Sequence, residues 1–268
     1  METELIILGT GSAFPEHSYH TCFILRTPGL TWMVDAGGGN GVLDRLRASS
    51  VAVADIKHLF ISHAHTDHIL GAVWVIRSVI NLAREGRYEE PLNIYGNSDV
   101  IETLTAICRM TLLESHYNLL LKIARFHTVS DGDEIRIGDT EISFIDCGSE
   151  NVMQTGFRMT LPSGKTLVCL GDEALTERNS PLAADADWLL CGAFCRYADR
   201  DIFKPYEKHH LTVRDVAINA EKAKVKNLLL YHCEDRDLKH RQELYTAEAR
   251  PHYTGNIHIP TDGTRIKI

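Results

Sequence analysis

The sequence His-Ala-His-Thr-Asp-His at residues 63–68 lies between two contrasting segments, and it decides the fold. Before it, HLFIS at 58–62 is a short apolar run of the kind that forms a buried strand. After it, apolar residues recur at helical spacing from 67 to 82, and Gly86 marks the end of that helix. The pattern therefore predicts a strand, a histidine-rich turn and an amphipathic helix in immediate succession.

Four side chains of this turn have the chemistry of metal ligands. His63 and His65 lie two residues apart, so both point the same way in an extended turn, whereas Asp67 and His68 begin the helix and face a second point nearby. Imidazole and carboxylate groups at this density suit Zn²⁺ or a similar divalent ion. The turn is therefore interpreted as a metal site, with a solvated histidine-rich turn as the alternative.

Composition indicates an ordinary globular protein. The chain has 268 residues, a net charge of −8 and 44% hydrophobic residues, which exclude disorder, collagen-like repeats and a membrane protein. The apolar run at 188–194 is far shorter than a bilayer span. The acidic balance argues against non-specific attraction to nucleic acid. We expect a single domain over 1–268, with a homodimer left open.

The sequence also gives an expectation about location. The N-terminus lacks the basic start and apolar core of a signal peptide, and the seven cysteines are scattered with no CxxC pair. Such cysteines are read as reduced and mostly buried, as in a reducing compartment. We therefore expect a cytoplasmic protein.

Strand-rich blocks alternate with helical segments along the chain. Strands are predicted at 4–10, 21–27, 31–37, 58–62, 124–129, 133–137, 140–146, 155–161, 166–170, 188–191 and 227–232. Helices are predicted at about 40–48, 67–82, 98–123, 212–223 and 237–248. This order predicts an α/β protein in which two sheets pack together under outer helices, a four-layered αββα sandwich.

Several motifs together resemble those of the metallo-β-lactamase superfamily, whose hallmark is HxHxDH. LGTGSAFP at 8–15 is similar to the opening strand and loop, and MVDAGGG at 33–39 to the strand that ends in Asp-Ala-Gly. CLGDE at 169–173 resembles the strand that delivers a bridging aspartate, and LLLYH at 228–232 the strand that delivers the last histidine. The resemblance implies metal ligands at His63, His65, Asp67, His68, Asp172 and His232. Histidine rather than glutamate at 65 points to hydrolysis rather than di-iron redox chemistry.

One ligand that the resemblance leads us to expect is missing. Gly148 stands where the family usually has a histidine. The first metal site would then keep His63, His65 and Asp172 and leave an open or water-filled position. The second site would be complete: Asp67, His68, Asp172 and His232. One or two divalent ions are therefore expected, zinc first, with Mn²⁺ or iron as alternatives.

A second resemblance lies in KHHLTVRDVAINAEKAKVKNLLLYH at 208–232, which is similar to the His-x-Thr segment of ribonuclease Z-like phosphodiesterases. It implies that His210 approaches the scissile phosphate, and Thr212 is predicted to cap the following helix. The alternative is that His210 is a polar residue at a helix entry. The segment 85–98 is too short for a protruding tRNA-binding arm, which puts activity on tRNA in doubt.

These observations predict a metal-dependent hydrolase. A divalent ion would supply a bound hydroxide, Asp67 would orient it, and His210 would stabilise negative charge or protonate the leaving oxygen. A phosphodiester, either a small molecule or a nucleic acid, is the first substrate class, and an ester, thioester or lactone is the second. A metal-binding protein that has lost catalysis through Gly148 is the rival from another class. Arg196, Lys204 and Tyr206 are candidates for the substrate mouth, against a reading as solvated loop residues.

Overall fold

The computed structural model describes residues 3–268, which divide into two compact units. The first unit comprises 3–9, 19–129 and 262–268, and the second comprises 10–18 and 130–261. Within 3–268, no helix combines the length and the apolar character that crossing a bilayer requires. The single domain, the cytoplasmic location and the homodimer stay predictions.

Each unit contains one seven-stranded sheet with helices. The strands are β1 (Glu4–Gly9), β2 (Cys22–Thr27), β3 (Leu30–Val34), β4 (His58–Phe60), β5 (Leu92–Gly96), β6 (Ala124–Thr128), β7 (Glu134–Ile137), β8 (Thr140–Asp146), β9 (Thr155–Thr160), β10 (Thr166–Cys169), β11 (Trp188–Gly192), β12 (Asn227–Tyr231), β13 (Asn256–His258) and β14 (Arg265–Lys267). The α-helices are α1 (Gly41–Ala48), α2 (Thr66–Arg84), α3 (Ser98–Thr111), α4 (Glu114–Ile123), α5 (Arg200–Phe203), α6 (Val213–Lys222) and α7 (Leu238–Ala249). Short 3₁₀ turns lie at Val53–Asp55, Ser180–Ala183, Tyr197–Asp199 and Tyr206–Lys208.

The sheet of the first unit has the order β14-β1-β2-β3-β4-β5-β6. Strands β14 to β3 pair antiparallel, whereas β3 to β6 pair parallel and are joined by helical crossovers. The apolar face of α2 is buried in the core that these strands share with α1, α3 and α4. The predicted strand, turn and helix around HAHTDH are confirmed, with the strand ending at Phe60 and the helix starting at Thr66.

The sheet of the second unit has the order β13-β12-β11-β10-β9-β8-β7. Strands β7 to β10 pair antiparallel, and β10 to β13 pair parallel. Helices α6 and α7 bury alanine, valine and tyrosine side chains in a core of their own. The α/β class is therefore confirmed in both units.

The prediction of one uninterrupted helix over 98–123 was wrong. Leu112 and Leu113 have extended backbone conformations, with ψ angles of 153° and 144°, and they separate α3 from α4. Neither is a helix breaker, so composition gave no signal. Leu112 packs against the core of the first unit while Leu113 is exposed, and this break allows both helices to pack beside α2. Tertiary packing thus overrides local helix propensity here.

The strand predicted at 124–129 belongs to the sheet of the first unit, as β6. Strand β6 pairs parallel with β5 and closes one edge of the first unit's sheet. The other edge is β14, which comes from the C-terminus and pairs with β1. Strands β5, β13 and β14 were not predicted, because each has only three to five residues and depends on a distant partner.

Candidate functional site

In the first unit, the predicted ligands follow the carboxyl end of a parallel strand. Strand β3 leads into Asp35, and its parallel neighbour β4 leads into Ser62 and His63. Because parallel strands end at the same edge of a sheet, residues far apart in sequence meet there. The backbone NH of Ser62 donates to Asp35 Oδ1 at 2.8 Å, and Ser62 Oγ donates to Asp35 Oδ2 at 2.8 Å.

Asp35 fixes the protonation pattern of two predicted ligands. His68 Nδ1 lies 2.9 Å from Asp35 Oδ2, and a carboxylate can only accept, so Nδ1 carries the proton and Nε2 keeps a lone pair. Ser62 Oγ uses its one hydrogen toward Asp35, so it accepts from His63 Nδ1 at 3.0 Å. His63 Nε2 then keeps its lone pair too. Both imidazoles are therefore held in the tautomer that binds metal through Nε2.

Sequence reasoning missed this role of Asp35. The motif MVDAGGG resembles a family strand, but nothing in it connects Asp35 to His68, which lies 33 residues further on. Asp35 and His68 are both fully buried or nearly so. A buried aspartate needs a hydrogen-bonding partner, and its position directly after a buried strand was the available signal.

Gly71 allows helix α2 to lie close to the turn that contains Asp35. The backbone NH of Gly71 donates to Gly37 O at 2.7 Å, and the NH of Ala36 donates to His68 O at 3.0 Å. A Cβ atom at position 71 would lie 1.8 Å from Ala36 O, which is a backbone clash. Glycine at 71 thus permits the contact that brings His68 against Asp35.

In the second unit, the remaining predicted ligands also follow parallel strands. Asp172 follows β10 by three residues, and His232 directly follows β12. Both side chains are buried, and His232 Nε2 lies 3.0 Å from Asp172 Oδ2. Each unit thus holds a buried histidine–aspartate pair with ligand atoms within 4.8 Å of each other: Asp67 with His68, and Asp172 with His232.

The spacing of these donor atoms fits a divalent ion. Two nitrogen ligands on a tetrahedral zinc, bound at roughly 2.05 Å each, lie about 3.3 Å apart. The separations within the units are 2.9 Å for His63 and His65, 3.3 Å for Asp67 and His68, and 3.0 Å for Asp172 and His232. Each pair has imidazole or carboxylate donors, which is the donor set that zinc prefers, and all of these residues except the exposed His65 are buried.

Gly148 has no side-chain donor, and two of its neighbours, Asp146 and Cys147, are held in other environments. Gly148 has a φ of +75°, and its NH donates to Asp146 Oδ1 at 2.8 Å, which turns that carboxylate toward the backbone. Burial, with Cys169 next, raises the pKa of Cys147 well above its ordinary value, so this thiol stays protonated. These contacts argue against Asp146 and Cys147 as substitute donors.

His210 lies beside one predicted ligand in the second unit. Its ring centroid is 5.1 Å from that of His232, and Phe194 stacks on it at 5.2 Å. Thr212 caps α6 as predicted, in a reciprocal capping box with Asp215. His210 and His232 line a cavity of about 480 Å³ together with two cationic side chains, Lys208 and Arg236, and three acidic ones, Glu16, Glu234 and Asp235. The cavity also has an aromatic part: Phe14, Phe194 and Phe203.

A family model described as Anti-Pycsar protein Apyc1 matches residues 3–248 of this chain. The chain belongs to the Anti-Pycsar protein Apyc1 family. This chain is also similar to several ribonuclease Z proteins. Ribonuclease Z of Methanothermobacter thermautotrophicus is 26% identical to it over 87% of both chains. Ribonuclease Z of Mycobacterium bovis is 26% identical over 99% of this chain and 98% of its own.

Solved structures show the fold. The metallo-β-lactamase fold protein YhfI from Bacillus subtilis aligns over the full length of both chains with a TM-score of 0.79 and 20% identity. Human tRNase Z, short form, aligns over 99% of both chains with a TM-score of 0.75 and 21% identity. The predicted α/β fold of the metallo-β-lactamase type is confirmed, as is the relationship to ribonuclease Z. Relatives and neighbours together support a metal-dependent hydrolase.

The candidates for the substrate mouth, Arg196, Lys204 and Tyr206, do not line the cavity that contains His210. Arg196 Nε donates to Asp199 at 2.7 Å, and the Tyr206 hydroxyl donates to Asp215 at 2.7 Å. Lys204 ends α5 in a left-handed conformation. The cationic side chains that do line the cavity are Lys208 and Arg236, which the sequence analysis did not identify.

Proposed function

We propose that this chain is a divalent-metal-dependent phosphodiesterase that acts on a small phosphodiester. The observation that carries the proposal is the cavity of the second unit, in which His210 and His232 share a wall with Lys208 and Arg236. Of the acidic side chains in the lining, Asp235 and Glu234 already accept hydrogen bonds from donors of the protein. Lys208 and Arg236 therefore favour a substrate that keeps a negative charge, such as a phosphodiester, over a neutral ester or lactone. The ribonuclease Z relatives support the same reaction class.

We propose that six residues are ligands of one or two divalent ions: His63, His65, Asp67 and His68 in the first unit, and Asp172 and His232 in the second. A bound divalent ion supplies a Lewis acid and lowers the pKa of water to near neutrality. Zinc is the first choice because the donors are imidazoles and carboxylates at tetrahedral spacing.

The chain's own side chains would divide the remaining work. Asp67, in the first turn of α2, would accept a hydrogen bond from the attacking water and orient it. His210, whose ring centroid lies 5.1 Å from that of His232, would donate a proton or a hydrogen bond to the leaving oxygen. Lys208 and Arg236 would attract the anionic phosphodiester into the cavity.

A small substrate is favoured over tRNA by the size of the loops. Residues 85–91 are all that connect α2 to β5, so no arm projects from that position. A cavity of about 480 Å³ is in the size range of small-molecule sites. The net charge of −8 also opposes binding of a long polyanion.

The test is hydrolysis of bis-p-nitrophenyl phosphate by the zinc-loaded protein and its His210→Ala variant. We expect kcat/KM to fall about 10²–10⁴-fold with metal content unchanged, because a positioned proton donor is lost. His209→Ala is the matched control, since His209 is an exposed neighbour outside the cavity lining. It should retain activity.

Three outcomes would contradict the proposal in different ways. Loss of metal from His210→Ala would make His210 a ligand in place of the histidine missing at Gly148. Hydrolysis of p-nitrophenyl acetate without hydrolysis of any phosphodiester would favour the ester hydrolase. Tight metal binding with turnover of neither substrate would favour a metal-binding protein without catalysis.

A further inference from the structure

One carboxylate holds a whole loop at the edge of the cavity that contains His210. Asp235 accepts hydrogen bonds from three successive backbone NH groups, those of Glu16, His17 and Ser18, at 3.1, 2.6 and 2.8 Å. Burial alone would raise the pKa of Asp235, but these NH donors lower it below its ordinary value. The loop is therefore fastened to a side chain more than 200 residues away in sequence.

The same loop presents an unusually exposed aromatic side chain. Phe14 is 94% exposed, yet it lines the cavity together with Phe203 and Arg236. The guanidinium carbon of Arg236 lies over the Phe203 ring, 4.3 Å from its centroid, so this wall of the cavity combines an aromatic ring with a flat cation. Pro15 follows Phe14 and restricts its backbone to extended conformations.

Pro15 also fixes the base of the loop. A Cβ atom at Gly11 would lie 2.6 Å from Pro15 Cβ, so the two residues pack closely. The NH of Ser12 donates to Cys233 O at 3.2 Å, next to the predicted ligand His232. Phe14 is thus held between two anchored points of the loop, at Ser12 and at Glu16, and it projects from a rigid base.

We propose that Phe14 is a specificity-determining residue that stacks on a flat aromatic group of the substrate, and that Asp235 is the positioning residue that holds Phe14 in place. The proposal rests on the proposed function for the phosphate part of the substrate. The aromatic group would lie between Phe14 and the Phe203–Arg236 wall, while the phosphodiester lies toward His210.

The chemistry of the wall supports a flat group over an aliphatic one. A phenyl ring in water gains more by stacking on a second ring than by touching a short alkyl chain, and stacking is tolerant of ring identity. The nearby guanidinium adds attraction to the face of an electron-rich ring. An anchored loop loses little conformational entropy when the ligand binds, so more of the stacking energy remains as affinity.

The test compares two inhibitors on the zinc-loaded protein, phenylphosphonate and methylphosphonate, by calorimetry. Phe14→Ala should raise the Kd of phenylphosphonate about 5- to 100-fold, the range for losing one stacked ring, and leave that of methylphosphonate within about 2-fold. Phe14→Tyr should keep the wild-type ratio of the two Kd values. Ile202→Ala, which removes an exposed apolar side chain outside the cavity lining, is the control and should change neither Kd.

The positioning role of Asp235 is tested by the same ratio of the Kd values for phenylphosphonate and methylphosphonate. Asp235→Asn should lower the preference for phenylphosphonate, and it should add nothing in the Phe14→Ala background because both changes act on one contact. With bis-p-nitrophenyl phosphate, both variants should raise KM while kcat stays within about 2-fold, the signature of lost binding rather than lost chemistry.

An unchanged phenyl-to-methyl ratio in Phe14→Ala would overturn the stacking role. An equal loss of affinity for both phosphonates in Asp235→Asn would overturn the positioning role, since the aspartate would then affect binding of the phosphonate group itself. Calorimetry needs no turnover, so a wild-type protein that hydrolyses no phosphodiester would refute the proposed function and still leave the stacking subsite to be judged.

Discussion

Replacement of Asp35 by asparagine should weaken metal binding although Asp35 is not a predicted ligand. Asp35 accepts three hydrogen bonds, two from Ser62 and one from His68. An asparagine amide has one oxygen and one NH₂ group, so at least one of the three donors would face another donor. With the NH₂ group in place of Oδ2, His68 Nδ1 and Ser62 Oγ both lose their acceptor, and the Nε2 lone pairs of His68 and His63 lose the contacts that orient them; with the NH₂ group in place of Oδ1, it faces the NH of Ser62 instead.

The magnitude follows from the number of contacts affected. Loss of a residue that orients one metal ligand typically costs 10- to 100-fold in metal affinity, or about 1.4–2.8 kcal/mol. Because Asp35 orients His68 directly and His63 through Ser62 Oγ, we expect the upper half of that range. Stability without metal should also fall by roughly 2–3 kcal/mol, the contribution of hydrogen bonds to a buried charge.

The assay is competition for Zn²⁺ with a chromogenic chelator, combined with urea unfolding in excess chelator. Ser62→Ala gives a graded comparison, since it removes the link to His63 and leaves the bond to His68. Asp55→Asn is the surface control, with a 3.8 Å ion pair to Arg26 and an exposed carboxylate. Wild-type zinc affinity in a folded Asp35→Asn protein would refute the reasoning.

Three further expectations concern other parts of the chain. His68→Ala should remove more metal than Gly148→Ala, measured by elemental analysis, because only the first change deletes a donor; equal losses would contradict the ligand assignment. Gly71→Ala should lower the free energy of unfolding by at least about 2 kcal/mol, since the added methyl group meets Ala36 O, whereas an uncrowded helix position would gain stability. Burial, with a contribution from a neighbouring histidine, lowers the pKa of His58 from 6.5 to about 4, so the neutral form is favoured in the folded state. The contribution to the free energy of unfolding is fully present above pH 6.5 and is lost as the pH falls toward 4. Between pH 7 and 5 we expect the free energy of unfolding to fall by about 1 kcal/mol after allowance for solvent screening. This part of the pH dependence should be absent in His58→Gln.

The sequence by itself determined the local chemistry of this protein. The run HLFIS and the helical spacing after it specify a strand and a helix on either side of HAHTDH, and six residues are enough to place two imidazoles and a histidine–aspartate pair close together. Thr212 as a helix cap is equally local, since the capping box closes within four residues. The order of the later motifs was sufficient to predict the fold and the relationship to ribonuclease Z.

Tertiary structure alone decided which distant residues support that chemistry. Asp35 meets His68 because β3 and β4 are parallel neighbours, and Asp235 binds the backbone of the loop that contains Phe14 although the two are more than 200 residues apart in the chain. The break at Leu112 and the pairing of β14 with β1 likewise have no local signal. Periodicity and capping are interactions between residues a few positions apart, whereas these contacts depend on which strands become neighbours, a choice made by burial of the whole core.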